Sequence, residues 1–327
     1  MVRTSPLLEL ASMAGDLERV ERALRHAVRT DDPYMTELAS HLMIAGGKRL
    51  RPAVAMAAAL THRPEVGDDV VQGGVACELV HLGSLYHDDV IDEAESRRGV
   101  DTVNAKWGNL QAILAGDFLL ARASEIAASL STEVAGLLAN TIGRLCHGEI
   151  GQLRTTYDPR RTAEQYLTSI EGKTASLFST SARIGGLVAG LDRPTIDALT
   201  RYGSALGMVF QIVDDVLDLT ATEEELGKPA GHDLVEGVYT LAVIHTIGEG
   251  GVAGDELVAL LGKPLEPAEV DKALAIVRSN GGVAEALRVG ERYRVEAEAA
   301  VAGLGDAPAV SALRAAPGAL IDSARAV

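Results

Sequence analysis

A chain of 327 residues with 47% hydrophobic side chains is long enough to bury a sizeable core, and we expect one globular domain over residues 1–327. A formal net charge of −16 argues against a nucleic-acid partner, because phosphate backbones are held by clustered lysine and arginine. Aromatic residues make up only 3%, and alanine and leucine recur throughout, which favours an all-α fold over a β-sandwich.

The apolar residues recur with helical spacing along the whole chain, and short breakers separate the periodic segments. The predicted helices span about 8–30, 35–45, 52–62, 69–92, 102–107, 110–130, 132–155, 163–189, 195–220, 239–247, 255–262, 267–279, 282–303 and 308–325. None of the breakers is long or polar enough to be an interdomain linker. We therefore expect a single-domain helical bundle.

The N-terminal segment passes from a short apolar patch directly into a charged helix, without the apolar core of a signal peptide. No stretch reaches the roughly eighteen uncharged residues of a membrane span. Two cysteines, Cys77 and Cys146, form neither a CxxC pair nor a disulfide framework. We expect a soluble, cytoplasmic protein with reduced thiols.

The first chemically distinctive segment is AGGKRLRP, residues 45–52. It sets Lys48, Arg49 and Arg51 just before Pro52, a residue that fits the first turn of a helix. Basic side chains and free backbone N–H groups then converge where an anion is best held. Arg49 is expected to face solvent.

The segment HDDVIDEAESRRG, residues 87–99, combines acidic and basic groups. Asp88 and Asp92 project from one helix face one turn apart, with Asp89 beside them. Such like charges repel one another, so a cation is expected between them. The forks of Arg97 and Arg98 match phosphate oxygens. A solvated salt-bridge cluster is the alternative for this segment alone.

A second acidic motif, VDDVLDL at 213–219, repeats the DDxxD spacing about 126 residues later, with Asp214, Asp215 and Asp218. No repeat extends beyond the motif, so the two copies resemble two halves of one site. Oxygen-only ligands suit Mg²⁺, which bridges carboxylates to substrate phosphates. The chain lacks the loop pattern of an EF-hand, and its histidines lack zinc spacing.

Four segments together resemble the signature regions of the trans-isoprenyl diphosphate synthases, the polyprenyl synthetase family: GGKRLRP, HLGSLYHDDVIDEAESRRG, GKT at 172–174 and FQIVDDVLDLTATEEELGKPAGHDL. The match runs from about residue 40 to 245. The resemblance implies an all-α bundle around a central cavity, usually a homodimer. The implied reaction is the Mg²⁺-dependent 1′-4 condensation of isopentenyl diphosphate with an allylic diphosphate.

The resemblance also implies roles for individual residues. The implied Mg²⁺ ligands, for three ions per active site, are Asp88, Asp92 and Asp214, with Asp89, Asp215 and Asp218 completing the shell directly or through water. The implied contacts to the allylic diphosphate are Arg97, Lys173 and Lys228. The implied contacts to isopentenyl diphosphate are Lys48, Arg51, His81 and Arg98. Thr174 and Gln211 are implied to face the allylic cation. His81 also lies seven residues before Asp88, on the same helix face.

One departure from the family pattern leaves alternatives open. Val238 and Ala242 stand where the family often has lysine and proline, so one cationic contact is expected to be missing. A non-catalytic partner subunit of a heteromeric synthase is therefore one alternative, although both acidic motifs are intact. A class I terpene cyclase is another, but it normally lacks the GGKRLRP segment and carries a different second motif.

Small residues precede the first acidic motif on its own helix: Gly83, Ser84, Val80 and Cys77. In the resembling family, short-chain enzymes commonly place an aromatic residue at the positions of Gly83 and Ser84. We therefore expect a channel down this face and a long-chain product of about six to ten isoprene units, ahead of a twenty-carbon geranylgeranyl product. Close helix packing, which also selects small residues, is the alternative. Membrane contact is expected to be at most peripheral, for product release.

Overall fold

The computed structural model describes residues 5–222 and 230–326, and helices form nearly all of their regular structure. The first helices are α1 (Met13–Ala27), α2 (Pro33–Ile44), α3 (Leu50–Leu60), α4 (Asp68–Ile91), α5 (Val103–Trp107), α6 (Asn109–Leu130) and α7 (Thr132–Leu153). They are followed by α8 (Ala163–Ile170), α9 (Ser176–Val188), α10 (Arg193–Thr220), α11 (His232–Val235), α12 (Leu241–Glu249), α13 (Gly251–Leu260), α14 (Pro267–Ser279), α15 (Gly282–Val301) and α16 (Pro308–Arg325).

The predicted all-α helical bundle is confirmed, and three local features differ from the predicted elements. A π-helical turn, Glu171–Ala175, divides the predicted helix 163–189 into α8 and α9. Strands β1 (Ser96–Arg97) and β2 (Val100–Asp101) form a small antiparallel hairpin. The short helix α11 was not predicted. None of the helices in the described ranges has the length and hydropathy that crossing a membrane requires.

Several helices begin at residues whose side chains satisfy the first free N–H groups. Asp32 accepts a hydrogen bond from the Tyr34 N–H at 2.9 Å, and Pro33 occupies the first helical position of α2. Asp192 accepts from the Thr195 N–H at 2.8 Å and starts α10. Both caps follow the known preference for aspartate before a helix with proline in its first turn.

Two long helices, α4 and α10, form the centre of the bundle. Helix α4 packs against α1, α3, α6 and α9, and α10 packs against α9, α15 and α16. Apolar or small residues cover nearly every side of α4, as expected for a helix surrounded by others. Both acidic motifs lie in the C-terminal turns of these helices, so the packing of the core determines where the carboxylates meet.

The π-helical turn lies unusually close to α7. A Cβ atom at Gly148 would come within 2.3 Å of the Lys173 backbone nitrogen, and one at Gly172 within 2.8 Å of the Arg144 carbonyl oxygen. Only glycine allows this approach at both positions. The turn carries Lys173 and Thr174, and the close contact holds both residues opposite α4 and α10.

Candidate active site

The first acidic motif closes helix α4. Asp88 lies in the last turn, and the Asp92 N–H caps the helix by donating to the Asp88 carbonyl at 2.8 Å. Carboxylates at a helix C-terminus oppose the helix dipole, which favours cations there. Asp88 lines a cavity of about 480 Å³, here called the acidic cavity, whose charged lining residues include Asp88, Glu149, Lys173 and Asp214.

Asp89 faces away from the acidic cavity and anchors the β-hairpin. Its carboxylate is 1% exposed and accepts a hydrogen bond from Arg97 Nε at 2.5 Å. The Asn104 side chain donates to the Asp89 carbonyl at 3.1 Å. At the hairpin turn Arg98 and Gly99 both have positive φ, the signature of a type I′ turn. The turn therefore points Arg97 and Arg98 in different directions.

The second acidic motif separates into exposed and buried carboxylates. Asp214 lines the acidic cavity, and Asp215 and Asp218 are buried. Asp215 accepts from the Tyr166 hydroxyl and from Gln211 Nε2, the latter at 2.7 Å. Asp218 accepts from the Asp233 N–H at 3.1 Å, which ties α10 to the start of α11. Asp88 and Asp214 thus face one space, as the sequence predicted for two halves of one site.

Burial first, and neighbouring carboxylates second, raise the pKa values of the carboxyl groups around this space. Burial raises the pKa of Asp88, and the nearby Glu149 carboxylate adds to the rise while Lys173 opposes it. Asp92 keeps access to solvent at the rim, but partial burial and the neighbouring Glu236 raise its pKa to about 6. Burial raises the pKa of Asp215 to about 7, against the hydrogen bonds from Tyr166 and Gln211. A bound cation would relieve this accumulation of negative charge.

Lys173 is a cation in the wall of the acidic cavity, next to the first acidic motif. Its Nζ lies 2.7 Å from Glu149 Oε2. Burial alone would lower the pKa of Lys173, but the carboxylates of Asp88 and Glu149 outweigh it and the pKa lies above its usual value. Lys173 therefore carries a full positive charge beside the first acidic motif, where an anionic substrate group would need it.

Thr174 and Gln211 lie side by side on the wall of the acidic cavity. The Thr174 hydroxyl donates to Gln211 Oε1 at 2.7 Å. The apolar part of the wall consists of Leu85, Ile91, Leu145, Ile150, Leu153, Leu177 and Phe210. The cavity thus combines a charged end with an apolar body, which suits a ligand with a charged head and a hydrocarbon tail.

A second pocket of about 470 Å³, here called the basic pocket, adjoins the acidic cavity. It brings together the four residues predicted to hold isopentenyl diphosphate, which are Lys48, Arg51, His81 and Arg98. The Arg98 guanidinium donates to the Gly46 carbonyl, so the hairpin turn and the GGKRLRP segment meet at this pocket. Two arginines and a lysine in one concave site form an anion-binding surface.

Burial and neighbouring charges lower the pKa values of Arg51 and His81 in the basic pocket. Burial lowers the pKa of Arg51 to about 10, and its guanidinium stacks 4.9 Å from the Phe178 ring centroid. Burial and the adjacent Arg51 and Arg98 lower the pKa of His81 well below its usual value, so the imidazole is neutral at pH 7. Arg51, His81 and Phe210 line both the basic pocket and the acidic cavity, so the two spaces adjoin at these residues.

The prediction that Arg49 faces solvent is wrong. Arg49 is 5% exposed, and its Nε lies 2.5 Å from Glu21 Oε1 and its Nη1 3.0 Å from Glu78 Oε1. Its φ of 49° turns the side chain back into the protein at the residue that precedes α3. Arg49 and Glu78 both line the basic pocket, and their ion pair holds the two side chains in place there.

The expected channel down the small-residue face of α4 is only partly present. Ser84 lines the acidic cavity, but Val80 and Cys77 are fully buried against neighbouring helices. At Gly83 an added Cβ would lie 3.0 Å from the Gly116 carbonyl of α6, so this glycine serves close packing. The prediction that Gly83, Val80 and Cys77 border an open channel is therefore wrong for this structure. The apolar part of the cavity is bounded instead by α4 and α7.

Lys228 lies outside the described residues. Glu149, which pairs with Lys173, resembles a family position near the pocket in the sequence but was not predicted as a ligand, and Tyr166, which donates to Asp215, was not predicted at all. Glu149 follows Gly148 in α7, and a glycine at a close helix approach was the available signal. Tyr166 stands seven residues before Lys173, a spacing that suggests a shared helix face.

Comparison with known proteins agrees with this geometry. The sequence model of the family described as polyprenyl synthetase matches residues 32–277. The chain is 39% identical over 307 residues to a nonaprenyl diphosphate synthase from Mycobacterium tuberculosis, covering 93% of this chain and 91% of that protein. It is also 39% identical over 282 residues to heptaprenyl diphosphate synthase component 2 of Geobacillus stearothermophilus, covering 86% and 87% of the two chains.

Solved structures agree in fold along nearly the whole length. A decaprenyl diphosphate synthase from Rhodobacter capsulatus superposes with a TM-score of 0.89 at 32% identity, covering 97% of this chain and 98% of that one. A polyprenyl synthase from Caulobacter crescentus, complexed with calcium and isoprenyl diphosphate, has a TM-score of 0.89 at 34% identity, covering 98% and 96%. On sequence and on structure, the chain belongs to the polyprenyl synthetase family.

Proposed function

We propose that this chain is a Mg²⁺-dependent polyprenyl diphosphate synthase that condenses isopentenyl diphosphate with an allylic diphosphate, 1′-4 and trans, to give a long-chain product. The observation that carries this proposal is the pair of adjoining sites. The acidic cavity has carboxylates, Lys173 and an apolar body, and the basic pocket has Lys48, Arg51 and Arg98. A terpene cyclase, which takes one diphosphate substrate, does not need the basic pocket.

The side chains of the two sites correspond to the needs of the reaction. The allylic diphosphate would lie in the acidic cavity, with Lys173 as the cationic contact in its wall. The family resemblance implies Arg97 and Lys228 as further contacts, and for this role Arg97 would have to exchange its pairing with Asp89 for the diphosphate. Isopentenyl diphosphate would lie in the basic pocket, held by Lys48, Arg51, His81 and Arg98. Because the two spaces share Arg51, His81 and Phe210, the carbon atoms that join would meet at their boundary.

In the reaction the allylic C–O bond breaks, and the electron pair leaves with the diphosphate. The double bond of isopentenyl diphosphate then forms the new carbon–carbon bond, and a proton leaves the adjacent carbon. Thr174 and Gln211 line the wall beside the developing cation, where oxygen dipoles stabilise positive charge without trapping it. The departing diphosphate is the nearest base for the proton.

The carboxylates of the two motifs fit magnesium. Asp88, Asp92 and Asp214 would supply oxygen ligands. Burial raises the pKa values of Asp88 and Asp92, and a bound cation would favour the ionised form of both. No three metal-binding side chains within the described residues converge as a preformed site. Magnesium commonly uses one or two carboxylates together with substrate phosphates, and we propose that arrangement here, with three ions. Bound magnesium would stabilise the charge that develops on the leaving diphosphate.

Long-chain products are supported by the names of the relatives, which include nonaprenyl and decaprenyl diphosphate synthases, and by a serine at position 84 of the cavity wall. A geranylgeranyl product is the second candidate, because a geranylgeranyl diphosphate synthase of Methanosarcina mazei is 38% identical. The similarity to a protein named component 2 keeps a heteromeric enzyme as the alternative assembly. A cytoplasmic location stays a prediction from the sequence.

A homodimer is the proposed assembly. Large apolar side chains lie exposed on α6, with Leu110 at 74%, Ile113 at 40% and Leu114 at 64% exposure. An exposed apolar face of this kind is typical of an interface. We propose that a second copy of the chain covers it.

The test of the proposed function uses the purified chain alone with isopentenyl diphosphate and a fifteen-carbon allylic diphosphate, in Mg²⁺ and in excess EDTA. We expect condensation only with Mg²⁺. Asp88→Ala and Asp214→Ala should each lower kcat at least about a hundredfold, because each carboxylate orients metal against developing charge. A change under about fivefold would remove these residues from the metal site. Activity that requires a second polypeptide would contradict the homomeric assignment.

A further inference from the structure

Tyr166 is a buried residue of α8 whose hydroxyl reaches toward the active site. Its side chain is 1% exposed, and the hydroxyl donates to Asp215 Oδ2. The other carboxylate oxygen of Asp215 accepts from Gln211 Nε2 at 2.7 Å. Both oxygens of Asp215 are therefore occupied by protein donors, which suits a residue that orients its neighbours.

The donors and acceptors form one chain with a defined direction. Asp215 accepts at both of its oxygens, so the Gln211 amide turns its NH₂ group toward Asp215. Its Oε1 then faces Thr174 and accepts the hydroxyl proton of that residue at 2.7 Å. A hydroxyl has a single proton to donate. Thr174 is thus left with oxygen lone pairs for the acidic cavity, which both Thr174 and Gln211 line.

We propose that Tyr166 is a positioning residue for the condensation: by holding Asp215 it orients the Gln211 amide, and thereby makes the Thr174 hydroxyl oxygen present lone pairs, not a proton, to the allylic cation. This inference rests on the site proposed above. A hydroxyl that pointed its proton into the cavity would repel the developing positive charge. The Tyr166 hydroxyl matters to the reaction although the residue is absent from the cavity wall.

The first measurement is the steady-state kinetics of Tyr166→Phe, which removes only the hydroxyl. We expect kcat to fall at least about tenfold, because the hydrogen bond that fixes Asp215 is lost, while the KM for each diphosphate changes less than about threefold. Neither diphosphate is held by Tyr166, so binding should persist. A rise in KM with an unchanged kcat would contradict the proposal.

The second measurement is a double-mutant cycle with Thr174→Val. If Tyr166 acts through the Thr174 hydroxyl, adding Tyr166→Phe to Thr174→Val should cost less than about threefold in kcat. If Tyr166→Phe lowers kcat by the same factor in the wild type and in Thr174→Val, Tyr166 does not act through Thr174, and the inference is overturned. If Thr174→Val keeps the wild-type kcat, the proposed role of Thr174 in the site is wrong as well. This result distinguishes a failure of the proposed site from a failure of the inference about Tyr166 alone.

Two further tyrosines serve as matched controls. Tyr202 is fully buried in α10, and its hydroxyl has no hydrogen-bond partner in the described part of the chain. Tyr86 is equally buried, and its hydroxyl donates to the Leu38 carbonyl at 2.7 Å. Tyr202→Phe should leave kcat and the melting temperature unchanged, and Tyr86→Phe should lower the melting temperature with kcat retained. A loss of kcat in these controls equal to that in Tyr166→Phe would assign the effect to general packing and overturn the proposal.

Discussion

Arg49 and Arg51 stand two positions apart in one basic segment, yet they face different surroundings. Arg49 is paired with Glu21 and Glu78, and Arg51 stacks on Phe178 at the boundary of the two pockets. The sequence could identify the segment as basic and suited to anions. It could not predict that Arg49 is buried, because its partners lie 28 and 29 residues away and meet it only in the folded chain.

Because the proposed cationic contacts are divided between two diphosphate sites, we expect their substitution to raise the KM of one substrate or of the other, depending on the site. Lys48→Ala and Arg98→Ala should raise the KM for isopentenyl diphosphate about tenfold and the KM for the allylic substrate much less, because each removes a charged contact in the basic pocket. Lys228→Ala should do the reverse. Initial rates measured with each substrate varied in turn provide the check. Equal effects on both substrates would mean that the cations do not divide between two phosphate sites.

At the scale of elements, apolar periodicity was enough to predict most helices, including α14 at 267–279 and α16 at 308–325, whose bounds agree with the structure. It predicted one helix where the structure has α8, the π-helical turn and α9. The turn depends on contact with Gly148, and local periodicity carries no information about such a contact. The hairpin was missed for a similar reason, since two-residue strands are too short for an alternating pattern.

The close contact between α7 and the π-helical turn predicts that Gly148→Ala damages both stability and catalysis. Its added Cβ would overlap the Lys173 backbone nitrogen at 2.3 Å, so the turn must shift, at a cost of about 1–3 kcal/mol in the free energy of unfolding. We also expect kcat to fall about tenfold or more, because Lys173 and Thr174 move with the turn.

Gly136→Ala in the same helix is the matched control, since a Cβ there meets nothing within 4 Å. Alanine at this exposed position should stabilise the helix slightly, by up to about 1 kcal/mol, and leave kcat unchanged. Chemical denaturation and steady-state rates measured on both variants provide the comparison. If Gly148→Ala behaves like Gly136→Ala, the contact does not hold the catalytic turn.

At the scale of the whole molecule, the exposed apolar face of α6 predicts self-association. Leu114→Glu places a charge at its centre and should convert a dimer into a monomer at micromolar concentration, because burying an unpaired charge is costly. Sedimentation velocity of the wild type and the variant measures this directly. Glu256→Gln, a change at an exposed position of α13, outside this face, is the control and should leave the dimer intact. A wild-type monomer, or a Leu114→Glu dimer, would contradict the assigned interface.

The acidic cavity connects the arrangement of helices to the length of the product. Its apolar wall is formed largely by α4 and α7, and Ser84 is the small residue that borders it below the first acidic motif. Cys77, one of the positions expected to line the channel, is fully buried among packed helices. Bulk added at Ser84 should therefore occupy space meant for the growing chain, whereas bulk added at Cys77 should disturb the core.

The most direct test of the central claim is the chain length of the products that the purified wild type and Ser84→Phe form from isopentenyl diphosphate and a fifteen-carbon primer. We expect the wild type to make products of about six to ten isoprene units, and Ser84→Phe to stop at about fifteen or twenty carbons, because a packed wall has no spare volume. Cys77→Phe should lower the melting temperature without shortening the product. A wild type that stops at fifteen carbons, or a product distribution unchanged by Ser84→Phe, would contradict a long-chain synthase whose product grows through this cavity.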